Sequence, residues 1–347
     1  MSVLLNETPA ASEWVDIAAR RHSGRTFGSI VPAVIWSDAR GDDGQLLVSA
    51  DPVELASAIN RTPHALLNGH DPGKPIGQVL EAANFETESG TKFVAAILGY
   101  YAGGEVISFR GLGLDATASV ASPATLPELP DGSWIQLATD PREVDEAWLE
   151  EIASDAPLPI KRTELSHNAA DSIHELIGVG IVYLSVVWNP FVTAIASEAG
   201  KATYAAIHAW LRKLLEKLAK RRNPILALHS FHHGCQVSFL FRGKDVKPHY
   251  AALAALPSAA AQAAELVARL KALGMTSRQL VYEFEKESGL WSPSYAILND
   301  NRIITDNIAL IAIEQLPKGV SLGLGGGKAS FPVVRLTPDE EGDGSKG

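Results

Sequence analysis

Leu176–Ser197 is a stretch of 22 residues without a single Asp, Glu, Lys or Arg, in the middle of this 347-residue chain. Glu175 and Glu198 bracket it, and a cationic helical pattern ending in Lys220, Arg221 and Arg222 follows. About 20 apolar residues suffice to cross a bilayer, so such a run belongs in a core, an interface or a membrane. Gly178, Gly180, Ser185, Asn189, Pro190 and Thr193 dilute its apolarity, and Asn189-Pro190 would break or kink a helix near its middle. Three fates stay open: buried packing between domains or in an oligomer, conditional membrane insertion, and a permanent span. A permanent span would put the basic end in the cytoplasm and export residues 1–170. Those residues begin MSVLLNETPAASEW, without the cationic and long apolar regions of a secretory signal.

The run also divides the charge. Residues 1–170 carry 24 acidic and 11 basic side chains, residues 171–222 carry 4 and 7, and residues 223–347 carry 12 of each. An acidic chain of net charge −10 is a poor partner for nucleic acid, whose phosphates require clustered Lys and Arg. The one basic cluster, Lys213–Arg222, reads as a solvated helix face. The single cysteine, Cys235, leaves no intrachain disulfide. Expected localisation is therefore cytoplasmic, with membrane association through 176–222 as the open alternative.

Periodicity and turn residues divide the rest. Residues 1–27 read as an arm with a helix around Glu13–Arg21. Residues 28–154 read as a β-rich domain, with strands at Ile30–Trp36, Gln45–Ser49, Ala65–Leu67, Gly77–Ala82, Lys92–Leu98, Val106–Phe109 and Trp134–Ala138. Asp51-Pro52 opens a short helix, and a Pro- and Ala-rich connector covers 116–132. Residues 155–222 read as a linker, broken by Pro157 and Pro159, and a helical neck made of the uncharged run and its amphipathic extension. Tyr204, His208, Leu211, Leu215 and Leu218 recur there at helical spacing. Residues 223–337 read as a smaller α+β domain. It holds a hairpin at Ile225–Phe231 and Cys235–Phe241, an Ala-rich helix over Pro257–Leu273, a strand at Gln279–Glu285, and a second hairpin around Asn299-Asp300-Asn301. Residues 338–347 read as a disordered tail. The expected fold class is α+β: a β-rich N-terminal domain, a helical neck and a smaller C-terminal domain.

The sharpest short motif is Leu66-Leu67-Asn68-Gly69-His70-Asp71-Pro72-Gly73-Lys74-Pro75-Ile76-Gly77-Gln78-Val79. A histidine at a strand end, before a Pro/Gly turn and a second strand, is a well-held imidazole suited to general-base work near neutral pH. Capping of turn backbone is the ordinary alternative. This segment resembles the phage prohead (capsid-maturation) serine proteases, which carry an Asn-His-Asp-like segment, a turn, then Ile-Gly and a strand. The resemblance covers roughly residues 28–115 and implies a β-rich fold with a Ser–His catalytic pair. His70 would be the base, and Ser108 in Val106-Ile107-Ser108-Phe109-Arg110-Gly111 the nucleophile. Ser108 lacks the glycine two residues on. Ser321 in Gly319-Val320-Ser321-Leu322-Gly323 matches the local pattern better but is far along the chain.

Other clusters are less specific. His229, His233 and Cys235 would share one strand face and offer zinc-ligating atoms, but their spacing fits no common zinc signature. Gly323-Leu324-Gly325-Gly326-Gly327-Lys328 lacks the spacing and the Ser or Thr of a phosphate loop. Glu283, Glu285 and Glu287 alternate as a cation-binding ladder would. No cofactor is expected. The leading expectation is a cytoplasmic binding or effector module whose neck drives self-association, contact with a protein partner or conditional membrane contact. The alternative is a prohead-type serine endopeptidase.

Overall fold

A computed structural model describes residues 3–40, 44, 46, 50–61, 64–68, 71–114, 134–139, 144–164, 175–181 and 198–312. The protein is α+β, with helices and strands in near-equal measure. The first sheet is antiparallel and ordered β1-β4-β3-β2, from β1 (Ser29–Ser37), β2 (His64–Leu67), β3 (Pro75–Glu86) and β4 (Lys92–Tyr100). Its central strand β4 is apolar throughout after Lys92, because both of its faces are covered. Phe93, Ala95 and Ile97 meet Leu5, Ala11, Val15 and Ala18 of helices α1 (Val3–Glu7) and α2 (Pro9–His22). Val94, Ala96 and Leu98 meet Leu55, Ala56 and Ile59 of α3 (Pro52–Arg61).

The second sheet has nine strands, ordered β5-β13-β12-β11-β10-β9-β8-β6-β7. They are β5 (Val106–Ile107), β6 (Ile135–Thr139), β7 (Ile160–Glu164), β8 (Glu175–Ile181), β9 (Pro224–His232), β10 (Cys235–Arg242), β11 (Ser277–Glu285), β12 (Leu290–Leu298) and β13 (Ile303–Ile304). Four neighbouring pairs are parallel: the short edge pair β13/β5, and β6/β7, β8/β9 and β10/β11, which each have a helix between their strands in sequence. The helices are α4 (Glu146–Ser154), α5 (Glu198–Leu218) and α6 (Val246–Ala272). Parallel neighbours need such crossovers, since a tight turn reverses the chain. All three helices bury side chains in one cluster on one face of the sheet, with Leu226, Leu228, Val237, Phe239, Phe241, Leu280 and Tyr282 beneath them. The β8→β9 and β10→β11 steps run the same way across the sheet, yet their strands have opposite polarity. With α5 and α6 on one face, the two crossovers have opposite hands. One of them thus departs from the strong right-handed preference.

On the other face, Leu240, Val281, Tyr295, Ile297 and Ile303 pack with Phe27, Ile30, Leu80 and Tyr101 of the first sheet and its flanks. The sheets therefore meet face to face, and the chain passes from one to the other between Tyr100 and Val106. This corrects the expected grouping of residues 28–154: β5 and β6 belong to the second sheet, and β7 lies within the expected linker. Glu175–Ile181, the first part of the expected helical neck, is strand β8, paired to β9 and β6. Residues 182–197 lie outside the described residues, as do the 116–132 connector and the 338–347 tail.

The amphipathic extension is helix α5, and its apolar stripe is spent inside the fold. Ile207, Trp210, Leu211, Leu214, Leu215 and Leu218 are all buried against the sheet. Its cations face the acids around α4: Lys217 reaches Glu151 at 2.9 Å, Arg221 reaches Asp145 at 3.5 Å and Lys213 reaches Asp155 at 3.7 Å. Helix α6 begins at Val246 rather than at Pro257. Asp245 caps it, its carboxylate accepting from the Lys247 amide, and Pro257 lies inside it. Among the described residues α6 is the one helix long and apolar enough to cross a bilayer, and half of that apolar window is buried in the protein.

Candidate functional site

The β2–β3 turn that carries the sharpest sequence motif is tied to itself by backbone. Asn68 N–H donates to Lys74 O at 2.9 Å and Lys74 N–H donates to Asp71 O at 2.9 Å. The Asp71 carboxylate accepts from the Gly73 amide at 2.9 Å, the Asx turn expected of Asp-Pro-Gly. This turn pushes Asp71 against the second sheet, where it is 1% exposed. Arg242, the last residue of β10, meets it with two parallel bonds, Nη1 to Oδ2 at 2.9 Å and Nη2 to Oδ1 at 2.6 Å. Arg242 Nε donates to Glu283 Oε1 of β11 at 2.9 Å. Tyr295 OH closes the contact by donating to Pro72 O at 2.7 Å.

Gly73 sits under this cluster because nothing larger fits. A Cβ there would run into Arg242 Nη2 and Glu283 Oε1, neither of which is free to move away. Burial pushes the Asp71 carboxyl up, but the hydrogen bonds and charge of Arg242, the Gly73 amide and Lys74 outweigh it and hold the group below its ordinary value. Burial also works against the Arg242 guanidinium, and Asp71 and Glu283 together more than restore its charge. The cluster is a bidentate, charge-assisted lock between the two sheets.

Beside the lock, a cavity of about 380 Å3 opens at the carboxyl ends of β10 and β11 and the first turns of α6. Arg242, His249, Glu283, Lys286, Phe241 and Phe284 line it. In a parallel β-α-β unit this is where ligands bind, since the strand ends and the helix start leave a crevice there. His249 is 3% exposed, and its Nε2 lies 3.1 Å from Arg242 O. A carbonyl only accepts, so Nε2 carries the proton and Nδ1 is an acceptor. Nδ1 has no partner among the described residues. Burial, against the opposing bond to Arg242 O, holds the His249 imidazole below its ordinary pKa.

The residues expected from sequence fall elsewhere. Ser108 lies just past β5, where its hydroxyl donates to Asp306 Oδ1 at 2.6 Å and accepts from the Gly111 amide at 3.0 Å. β5 is an edge strand three strand spacings, about 14 Å, from β11 and the lock. His70, Ser321 and the Gly323–Lys328 segment lie outside the described residues. The three metal-ligand candidates do not share a face. His229 Nδ1 meets Ser238 Oγ at 2.8 Å on the face away from the helices. Cys235 is buried in the helix-covered core, 3.3 Å from Ser277 Oγ. His233 sits with Gly234 in a two-residue turn, both at positive φ, as a type I′ hairpin requires. The glutamate ladder does not form: Glu283 serves Arg242, Glu285 accepts from Ser288 at 2.6 Å, and β11 ends before Glu287. Among the described residues no cluster of three metal-ligating side chains occurs.

Burial pushes the Cys235 thiol up to about 12, so it is protonated at every ordinary pH. Folded protein at pH 8 is expected to leave the thiol unlabelled by a maleimide over hours, and protein in urea to label fully within minutes. Rapid labelling of the folded chain, read by mass spectrometry, contradicts the burial.

Arg242 was not singled out by sequence reasoning. Its one local signal is a cation ending the apolar strand Val237–Phe241. A cation at a strand end is ordinarily solvated, and nothing local names Asp71 as its partner 171 residues away. Comparison of the chain with protein-family models, with curated proteins and with solved structures found no match in any of the three.

Proposed function

We propose that this chain is a binding or effector module whose ligand enters the cavity at the carboxyl ends of β10 and β11. The observation that carries the reading is that cavity itself, bordered by the Asp71–Arg242–Glu283 lock. At about 380 Å3 it falls at the lower end of small-ligand sites, and it pairs aromatic walls with a few converging polar groups, the usual composition of such a site. Because Arg242 both lines the cavity and holds the β2–β3 turn, occupancy is felt directly by the first sheet. The cytoplasm, where a lone buried thiol needs no disulfide partner, is the compartment such a module fits.

The peptidase reading draws no support from Ser108, whose hydroxyl donates to Asp306 and accepts from the Gly111 amide of its own turn. Membrane contact through α5 draws none from the described residues, since the apolar stripe of that helix is buried in its own core.

A fragment screen on the full chain, read by backbone amide shifts, tests the reading. Shifts are expected to concentrate on Arg242–Ala252 and Glu283–Lys286. Hits that cluster elsewhere, or no hits, would remove it.

A further inference from the structure

We infer that Arg278 is a binding site for a small carboxylate, at the end of the seam opposite the lock. The site is separate from the cavity. Gln236 lies beside Gln279 in the parallel pair β10/β11, so Arg278 aligns with Cys235. Arg242 is seven residues further along, about 23 Å at the rise of a strand. Both arginines reach from the second sheet to the first, but they are met differently. Arg242 takes the carboxylates of Asp71 and Glu283. Arg278 takes only uncharged oxygens: Nη1 donates to Leu298 O at 3.0 Å and to Asn301 Oδ1 at 2.7 Å, and Nη2 donates to Gln78 Oε1. A guanidinium is charged at every ordinary pH, and no carboxylate among the described residues pairs with this one. Asp300, the acid whose charge acts on it, accepts from Arg302 Nε at 2.8 Å. Burial pulls the Arg278 pKa down, and the charges of Tyr101 and Asp300 restore it only in part, whereas Asp71 and Glu283 raise that of Arg242.

Position 78 carries the argument. Gln78 is 0% exposed, and its partners orient its amide: Oε1 accepts from Arg278, so Nε2 faces Tyr101 OH, which donates to Asn301 O at 3.2 Å. A glutamate of the same shape would neutralise Arg278 from within the fold. The glutamine fixes the guanidinium and leaves its charge unmatched. Donors remain as well. Nε has no partner among the described residues, and Nη2 uses one of its two protons. Nε also keeps contact with solvent: Arg278 is half-buried, and its Nε is not among the sealed, unpartnered atoms. Its opening lies at the Asn299–Asn301 turn, where Asn299 and Asp300 are exposed. The unmatched charge is a single one, and the bonds that a carboxylate accepts from a guanidinium are charge-assisted. A carboxylate balances that charge, while the further charge of a phosphate would face Asp300.

The test follows the Arg278 Nε–H resonance of the full chain, assigned by its loss in Arg278→Lys, together with the Asn301 and Arg302 amides. The probes are sodium acetate, its uncharged isostere acetamide, inorganic phosphate, and sodium chloride at matched ionic strength. Acetate is expected to shift these signals to saturation, and the other three are not. Gln78→Glu supplies the missing carboxylate from within, so it is expected to weaken acetate about tenfold without lowering the melting temperature. Should that variant not fold, Arg278→Lys serves in its place: it keeps the charge, loses the planar fork, and is expected to weaken acetate about fivefold at the two amides. Acetate shifts that chloride or acetamide reproduces overturn the site, as does an affinity for acetate unchanged in the folded variant. Saturation by phosphate and not by acetate overturns the carboxylate class. Acetate shifts that centre on Arg242–Ala252 put the anion in the cavity and overturn the second site while leaving the first standing.

Discussion

Arg242→Ala is expected to cost about 3–5 kcal/mol of folding stability, because it strands the Asp71 carboxylate in the seam between the sheets. Asp71 is 1% exposed and takes two bonds from Arg242, so the substitution leaves a buried charge with only the Gly73 amide and the more distant Lys74, at 3.8 Å. Arg242→Lys keeps charge but not the two-pronged geometry, and should recover only part of the loss. Urea unfolding followed by circular dichroism measures both; a loss under about 1 kcal/mol for Arg242→Ala would show that water reaches Asp71 and the lock is a surface ion pair.

The same lock sets a pH dependence with a definite sign. The folded Asp71 carboxyl titrates below its ordinary value of about 3.9, so on acidification the unfolded chain takes up the proton first. Its contribution is therefore whole at neutral pH and is lost as pH falls from about 4 through the folded value. The stability gap between wild type and Asp71→Asn should shrink between about pH 5 and pH 2. A gap that stays constant over that range would mean that the carboxylate is not the source.

Trp210→Ala is expected to cost about 3–5 kcal/mol, as for other buried aromatic truncations. Trp210 is 3% exposed among Ile207, Leu211 and Leu214, and its indole N–H donates to Ile152 O of α4 at 3.1 Å. The substitution opens a cavity between α4, α5 and the sheet, and it leaves that carbonyl without its donor. A tryptophan on a cationic amphipathic helix is also what a membrane-surface helix displays. The two roles separate cleanly: a membrane-facing Trp210 would leave stability in solution unchanged and weaken binding to anionic vesicles. The packed indole predicts the reverse, a large loss by thermal unfolding and no segment-dependent flotation.

Much of the secondary structure was legible in the chain. The alternation of Leu280, Tyr282 and Phe284 marks β11, and the turn His233-Gly234 marks the β9–β10 hairpin, because both signals are local. Asp51 announces α3 through its side chain, which accepts from the Val53 and Glu54 amides at 2.9 and 2.8 Å. The start of α6 was misplaced because Pro257 also suits a first helical turn. The cap is Asp245, twelve residues earlier, and the helix absorbs Pro257 because packing against the sheet outweighs one lost backbone bond.

The candidate site was half legible. The Asp-Pro-Gly turn stands out in the sequence, and the structure buries its Asp71 side chain between the sheets. Its partners come from β10 and β11, and chain distance hid them.

The uncharged run shows where sequence alone ends. Composition determined that Leu176–Ser197 would avoid water, since no charged group opposes burial there. It did not determine helix or strand, because a continuous apolar run has no period to read. The fold decided that for Glu175–Ile181. A place between β6 and β9 offers that segment backbone partners on both edges, which a helix could not use. Local chemistry thus set which segments seek burial, and only the long-range pairing of strands decided what each is buried against.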